Sequence, residues 1–100
     1  MQENTTLSRI IMLLRQQLPD LNVQYQVRSL GVFGSYVRQN QTGDSDLDLL
    51  VTFDEAPSLL KFIALENRLT DILGVKVDLV MKDALKPRIG KHVMSEVVLV

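Results

Sequence analysis

The 100-residue chain reads as a single α/β (α+β) domain spanning 1–100, a small mixed β-sheet flanked by helices. Three observations predict this. Leu47–Phe53 alternates its side chains with the period of a strand, residues 57–74 carry apolar residues at helical spacing, and residues 75–81 return to strand period. A strand–helix–strand succession implies two parallel strands joined by a right-handed crossover. A further strand, best over Val27–Phe33, precedes Leu47–Phe53 across a short polar stretch and should run antiparallel to it.

Composition limits what such a domain can be. The hydrophobic fraction of 46% and charged fraction of 23% suit a globular chain with one modest core. A net charge of -1 offers no basic field to hold nucleic acid as the main partner. Cysteine is absent, which excludes disulfides, thiolate catalysis and cysteine-bound metals. The stretch MQENTTLSRIIMLLRQQ lacks the basic segment of a signal peptide, and no apolar run approaches the ~20 residues of a membrane span. The expectation is a cytoplasmic protein.

In chain order, Thr6 is a candidate cap for a first helix. Leu7, Ile10, Ile11, Leu14 and Leu18 lie on one face of it, and Pro19 should end it. Met12-Leu13, off that stripe, leaves room for a partner-binding face beside the simpler reading of core packing. Residues 22–33 should be extended, with Leu30, Val32 and, as a further candidate, Arg28 on one face and Val27, Ser29, Gly31 and Phe33 on the other. Gly34-Ser35 breaks the strand, a short helix follows through Arg38, and NQTGDS forms a polar turn. In Leu47–Phe53, Leu47, Leu49, Val51 and Phe53 point into a core, while Asp46, Asp48, Leu50 and Thr52 point the other way. Ser58 should cap the next helix, whose stripe is Phe62, Leu65, Leu69 and Ile72 with Leu59, Ile63 and Leu73 in support, and Gly74 should stop it. Residues 83–95 read as a last helix with its first turn near Pro87. The VVLV tail either packs back or meets a partner.

Two features point to chemistry. Glycine and serine at a strand-to-helix turn suit an anion: Gly34 permits close backbone approach, Ser35 adds a hydroxyl, and the following amides complete the site. Gly-Ser alone is also a common turn. Asp46 and Asp48 share one face at the start of a strand, where two carboxylates are costly unless a cation holds them. Oxygen donors favour Mg²⁺ or Mn²⁺ over Zn²⁺. In isolation the pair also fits a solvated acidic turn. Asp78 sits inside VKVDLVM on what reads as a central strand, on the same face as the other two; there it completes a three-carboxylate set. Its plainer alternative is an edge-strand charge beside Lys76. His92 is the single histidine, which excludes a histidine-based triad or zinc site. Lys82, Lys86, Arg88, Lys91 and His92 cluster in the last quarter; Lys91 and His92 read as a solvated helix face, with a partner or phosphate contact as the alternative.

Gly34-Ser35, ten residues, Asp46-x-Asp48, a helix and then Asp78 together resemble the active-site signature of the DNA polymerase β-like nucleotidyltransferase superfamily. Within it the chain is similar to the minimal nucleotidyltransferases (MNT proteins), in the words GVFGSYVR, DSDLDLLV and KVDLV, and over nearly its whole length. The resemblance implies a nucleotidyltransferase fold. It implies that Gly34 and Ser35 hold a nucleotide triphosphate and that Asp46 and Asp48 ligate two Mg²⁺ ions, which clamp the attacking and leaving oxygens from roughly 3.5–4 Å apart. Asp78 would bind the catalytic metal and is a candidate to activate the attacking hydroxyl. Arg38 matches a basic position of the family and is a candidate phosphate contact, although a solvated helix charge fits it equally. Tyr36 reads as packing. The loop RQNQTGDS carries fewer charges than the family pattern.

The implied reaction is nucleotidyl transfer: a hydroxyl attacks the α-phosphate of ATP and pyrophosphate leaves, with positioning and charge neutralisation supplied by the site. About 20 residues follow Asp78, so the acceptor is expected to be presented by a partner. Small MNT proteins are commonly antitoxins paired with a HEPN-domain ribonuclease toxin. The resemblance thus implies an adenylyltransferase antitoxin of a type VII-like pair that moves AMP from ATP onto a toxin tyrosine. Two alternatives stay open: neutralisation by binding and occlusion, and nucleotidyl transfer to a small molecule or an RNA end.

Overall fold

The first helix, α1 (Thr6–Tyr25), runs through Pro19 rather than ending there, so residues 22–25 are helical and not extended. The computed structural model describes residues 6–100. The apolar stripe explains the longer helix. Ile10, Leu14 and Leu21 are buried, and Leu18 and Tyr25 pack against the same core. These positions keep three- and four-residue spacing across the proline. Burying Leu21, worth about 2 kcal/mol, offsets much of the hydrogen bond that Pro19 denies to the Arg15 carbonyl. Thr6 is itself helical rather than a cap. Gln26 ends the helix in the left-handed region (φ 64°) and donates its N–H to the Asn22 carbonyl at 2.9 Å.

Strand β1 (Val27–Phe33) pairs antiparallel with β2 (Leu47–Phe53), as the short connection predicts. Val27 faces Phe53 and Ser29 faces Thr52, so Arg28 is an extra residue in a β-bulge. The bulge changes the parity of the strand. Simple alternation puts Val27 on the face opposite Leu30 and Val32, yet all three are buried in one core. Arg28 turns outward and donates from Nε to Asp54 Oδ1 at 2.8 Å. Asp54 Oδ2 in turn accepts from the Asn22 side-chain amide at 3.0 Å, which ties the end of α1 to the bulge.

Helix α3 (Leu59–Leu73) crosses over to β3 (Val77–Met81), which lies parallel to β2. Ser58 Oγ accepts the Lys61 N–H at 3.2 Å at one end, and Gly74 (φ 73°) donates to the Thr70 carbonyl at the other. Leu65, Leu69 and Leu73 are buried. Leu59 and Ile63 do not reinforce them: Leu59 stands in the first turn ahead of the buried residues, Ile63 lies off the stripe, and both are exposed. A 3₁₀ turn (Lys82–Ala84) leads to α4 (Pro87–Glu96), which therefore starts later than residue 83.

The sheet order is β3-β2-β1 with a fourth strand, β4 (Val98–Leu99), beside β1. Strand β4 is the VVLV tail folded back antiparallel on β1, with Gly31 opposite Leu99 and Val32 opposite Val98. Gly31 makes room for it, since a Cβ there would lie 2.6 Å from Val97 Cγ2. Strand β3 is thus an edge strand and not the central one expected. Its Val77 and Leu79 N–H groups donate to Thr70 Oγ1 (3.1 Å) and Glu66 Oε2 (2.8 Å), so α3 side chains occupy backbone donors of that edge. Helices α1 and α3 cover one sheet face, where Leu47, Leu49 and Val51 join their buried residues. Asp48 and Thr52 lie on the other. Among the described residues no helix is long and apolar enough to cross a membrane.

Candidate active site

The site is built where β1 ends and β2 begins. Gly34 follows β1 with φ 81° and ψ -152°, a backbone that an L side chain rarely adopts. Space adds a second constraint. A Cβ at Gly34 would collide with the Asp48 carboxylate and lie 3.1 Å from Asp48 Cγ. The bare glycine Cα is what lets the turn and the acidic strand touch. Ser35 then opens the four-residue helix α2 (Ser35–Arg38), and its hydroxyl has no partner among the described residues. Tyr36 is buried in the main core and holds α2 down, in keeping with a packing role.

Asp48 is the centre of the acidic group. It pairs directly with Asp78 on the neighbouring parallel strand. Paired positions on adjacent strands put both side chains on one face. Asp46 immediately precedes β2. The Asp48 carboxyl is raised above its ordinary value, first by burial and then by the charges of Asp78 and Asp46. Arg38 acts in the opposite direction, and Glu96 adds to the repulsion. The topology therefore brings Gly34, Arg38, Asp46, Asp48 and Asp78 into one neighbourhood. Asp78 owes its place to register with Asp48, since the central-strand reason for its importance does not hold.

A divalent cation fits the donor chemistry of this group: three hard carboxylate oxygens repel one another around Asp48, and a cation would relieve that repulsion. As placed, no three acidic or histidine side chains among the described residues converge in a form that could hold a metal ion.

One functional candidate is missing from the sequence reading. Glu96, the last residue of α4, accepts the Gly34 N–H through Oε2 at 3.1 Å. Its two oxygens also accept from Arg38 Nη1, at 2.9 and 3.2 Å. Burial alone would raise the Glu96 carboxyl, but the Gly34 N–H and the Arg38 guanidinium outweigh it and hold the group below its usual range. The one available signal was a single acid standing between α4 and an apolar tail. The basic residues Lys82, Lys86, Arg88, Lys91 and His92 are all exposed.

Comparison with known proteins gives the family. Residues 11–100 match the family described as "Nucleotidyltransferase domain". A Thermococcus cleftensis relative named protein adenylyltransferase MntA is 53% identical over 95 residues, covering 95% of this chain and 96% of its own length. A solved structure described as a candidate minimal nucleotidyltransferase superposes with a TM-score of 0.75 at 36% identity, over 90% of this chain and 92% of that one. A toxin–antitoxin crystal structure with AMP-PNP gives a TM-score of 0.67 at 25% identity, over 91% of this chain and 68% of that one. The chain belongs to the nucleotidyltransferase domain family, and its mixed sheet with flanking helices is the nucleotidyltransferase fold.

Proposed function

We propose that the chain is a Mg²⁺-dependent protein adenylyltransferase that acts as an antitoxin, moving AMP from ATP onto a tyrosine of a HEPN-domain toxin. The observation that carries this reading is the contact of Gly34 with Asp48, in register with Asp78. It sets a glycine–serine turn against carboxylates on one sheet face. The 53% identical relative named as a protein adenylyltransferase supports AMP transfer to protein. The toxin–antitoxin structure with AMP-PNP supports the setting.

In this reading Ser35 and Arg38 bind the triphosphate beside Gly34, whose lack of a side chain keeps the turn close to Asp48. Asp46, Asp48 and Asp78 are the residues that would hold Mg²⁺, or Mn²⁺ in its place. When bound, the metal supplies neutralisation of the charge that builds on the phosphates. The phenolic oxygen of the acceptor forms a bond to the α-phosphorus while the bond from that phosphorus to the β-phosphate oxygen breaks. Pyrophosphate leaves, and the phenol proton passes to a carboxylate, for which Asp78 is the candidate. Arg38 offsets negative charge beside Asp48 throughout.

The test is labelling of the co-purified partner with α-³²P-ATP and Mg²⁺. Transfer is expected with the wild type and lost in Asp46→Ala and Asp48→Ala, and persistent labelling by these variants would refute the site assignment. Full growth rescue by an Asp46→Asn/Asp48→Asn double variant that still binds the toxin would mean that neutralisation works by occlusion.

A further inference from the structure

We infer that Glu96 is a positioning residue for this transfer site, holding the Gly34 amide and the Arg38 guanidinium in the arrangement that meets the triphosphate. The inference rests on the nucleotidyl-transfer reading above.

The register of the sheet explains why a glutamate is needed here. Strands β1 and β4 run antiparallel with Gly31 opposite Leu99 and Val32 opposite Val98. Two further steps place Gly34 opposite position 96. There the ladder has ended, because α4 runs to Glu96 and β4 begins only at Val98. A buried amide with no backbone acceptor would be costly. The Glu96 side chain takes the place of the missing strand carbonyl and accepts the Gly34 N–H at 3.1 Å. Asp48 meets the same glycine at its Cα, in the direction a Cβ would take. The two carboxylates thus hold Gly34 from separate sides, one at the amide and one at the α-carbon.

The second half of the clamp is Arg38. Its Nη1 reaches both Glu96 oxygens, whereas its Nε and Nη2 have no partner among the described residues. The Arg38 side chain is 50% exposed and that of Glu96 is 18% exposed. An arginine that open to solvent loses much rotamer freedom when it is fixed on a ligand. Glu96 fixes it beforehand and leaves donors for phosphate. A rival role is direct competition, with the Glu96 carboxylate filling the phosphate seat. Against it, the Gly34 amide bond continues the β1–β4 ladder, and the Ser35 hydroxyl is left without a protein partner.

The experiment measures ATP binding by calorimetry in Mg²⁺, and AMP transfer to the co-purified partner, for wild type, Glu96→Gln, Arg38→Ala and the double variant. Melting curves verify that each folds. Glu96→Gln keeps an acceptor for Gly34 and removes the charge that pins Arg38. The expected result is about tenfold weaker ATP binding and a raised KM for ATP, with kcat within about threefold of wild type. The double variant should bind ATP as weakly as Arg38→Ala and no more weakly, since the two residues act as one unit. A nucleotide-free readout accompanies it: the Gly34 amide should exchange slowly in wild type and quickly in Glu96→Ala. Tighter ATP binding by Glu96→Gln would overturn the inference in favour of competition. So would losses that add in full in the double variant, or ATP binding by Glu96→Gln equal to wild type. A folded wild-type chain that binds no ATP would instead refute the nucleotidyl-transfer reading, and this positioning role with it.

Discussion

Asp48 and Asp78 stand directly beside each other on parallel strands, and the Asp48 carboxyl is held above its ordinary value by burial and by the charges of Asp78 and Asp46. An acid raised in the folded state destabilises that state once the pH exceeds its unfolded value. The strain disappears as the pH falls and Asp48 takes up its proton. Site and stability therefore pull in opposite directions at neutral pH.

Asp48→Asn is accordingly expected to melt a few degrees higher than wild type at pH 7 without Mg²⁺. The gain should shrink towards acid pH, and AMP transfer should be lost. Calorimetric melting across pH, with and without Mg²⁺, checks each part. A lower melting temperature at pH 7 would contradict the electrostatic account.

Gly34→Ala meets both a left-handed φ of 81° and the Asp48 carboxylate. A loss of about 1–3 kcal/mol is expected, together with loss of ATP binding as the turn is pushed from the acidic strand. Urea unfolding and calorimetry measure the two effects. Gly43, with open space around its Cα, is the control: Gly43→Ala should leave ATP binding unchanged.

Pro19→Ala restores an amide donor within α1, where Arg15 lacks one. Stabilisation by about 1–2 kcal/mol is expected, because the helix already runs through this position. Denaturant melts decide it. Destabilisation would mean that α1 relies on the proline to shape its path over the core.

Asp54 lies at the bulge and is held below its usual value, first by the Arg28 hydrogen bond and then by that of Asn22. A carboxyl lowered in the fold contributes stability that is present above its unfolded value, about 3.9, and is lost as the pH falls through the folded one. Asp54→Asn should therefore melt below wild type at pH 7, and the gap should close in strong acid. Thermal melts of both proteins over pH 2–7 (roughly the range in which carboxylates titrate) test this.

Much of the fold was legible in the sequence where a local rule acts without rivals. Alternation placed Leu47, Leu49 and Val51 in the core and Asp48 outside it, and Ser58 and Gly74 marked the two ends of α3. Local rules failed where a distant partner prevailed. Pro19 should have ended α1, but the core offered burial to Leu21. Alternation misplaced Val27 because one extra residue, Arg28, entered the strand. Asp78 sat on an edge strand, so its standing beside Asp48 came from register and not from the cost of a charge in the middle of a sheet.

By itself the sequence determined which residues are chemically equipped: the glycine–serine turn, the paired aspartates at the head of a strand, and a third acid one crossover later. Period and residue type settle these within a few positions of chain. Only the tertiary structure decided that Asp48 lies against the bare Cα of Gly34, that the tail closes the sheet as β4, and that Glu96 reaches the Gly34 amide. Each of these depends on a pairing between segments far apart in the chain. Such a pairing is fixed by strand register and by packing summed over the whole core, and no local pattern encodes it.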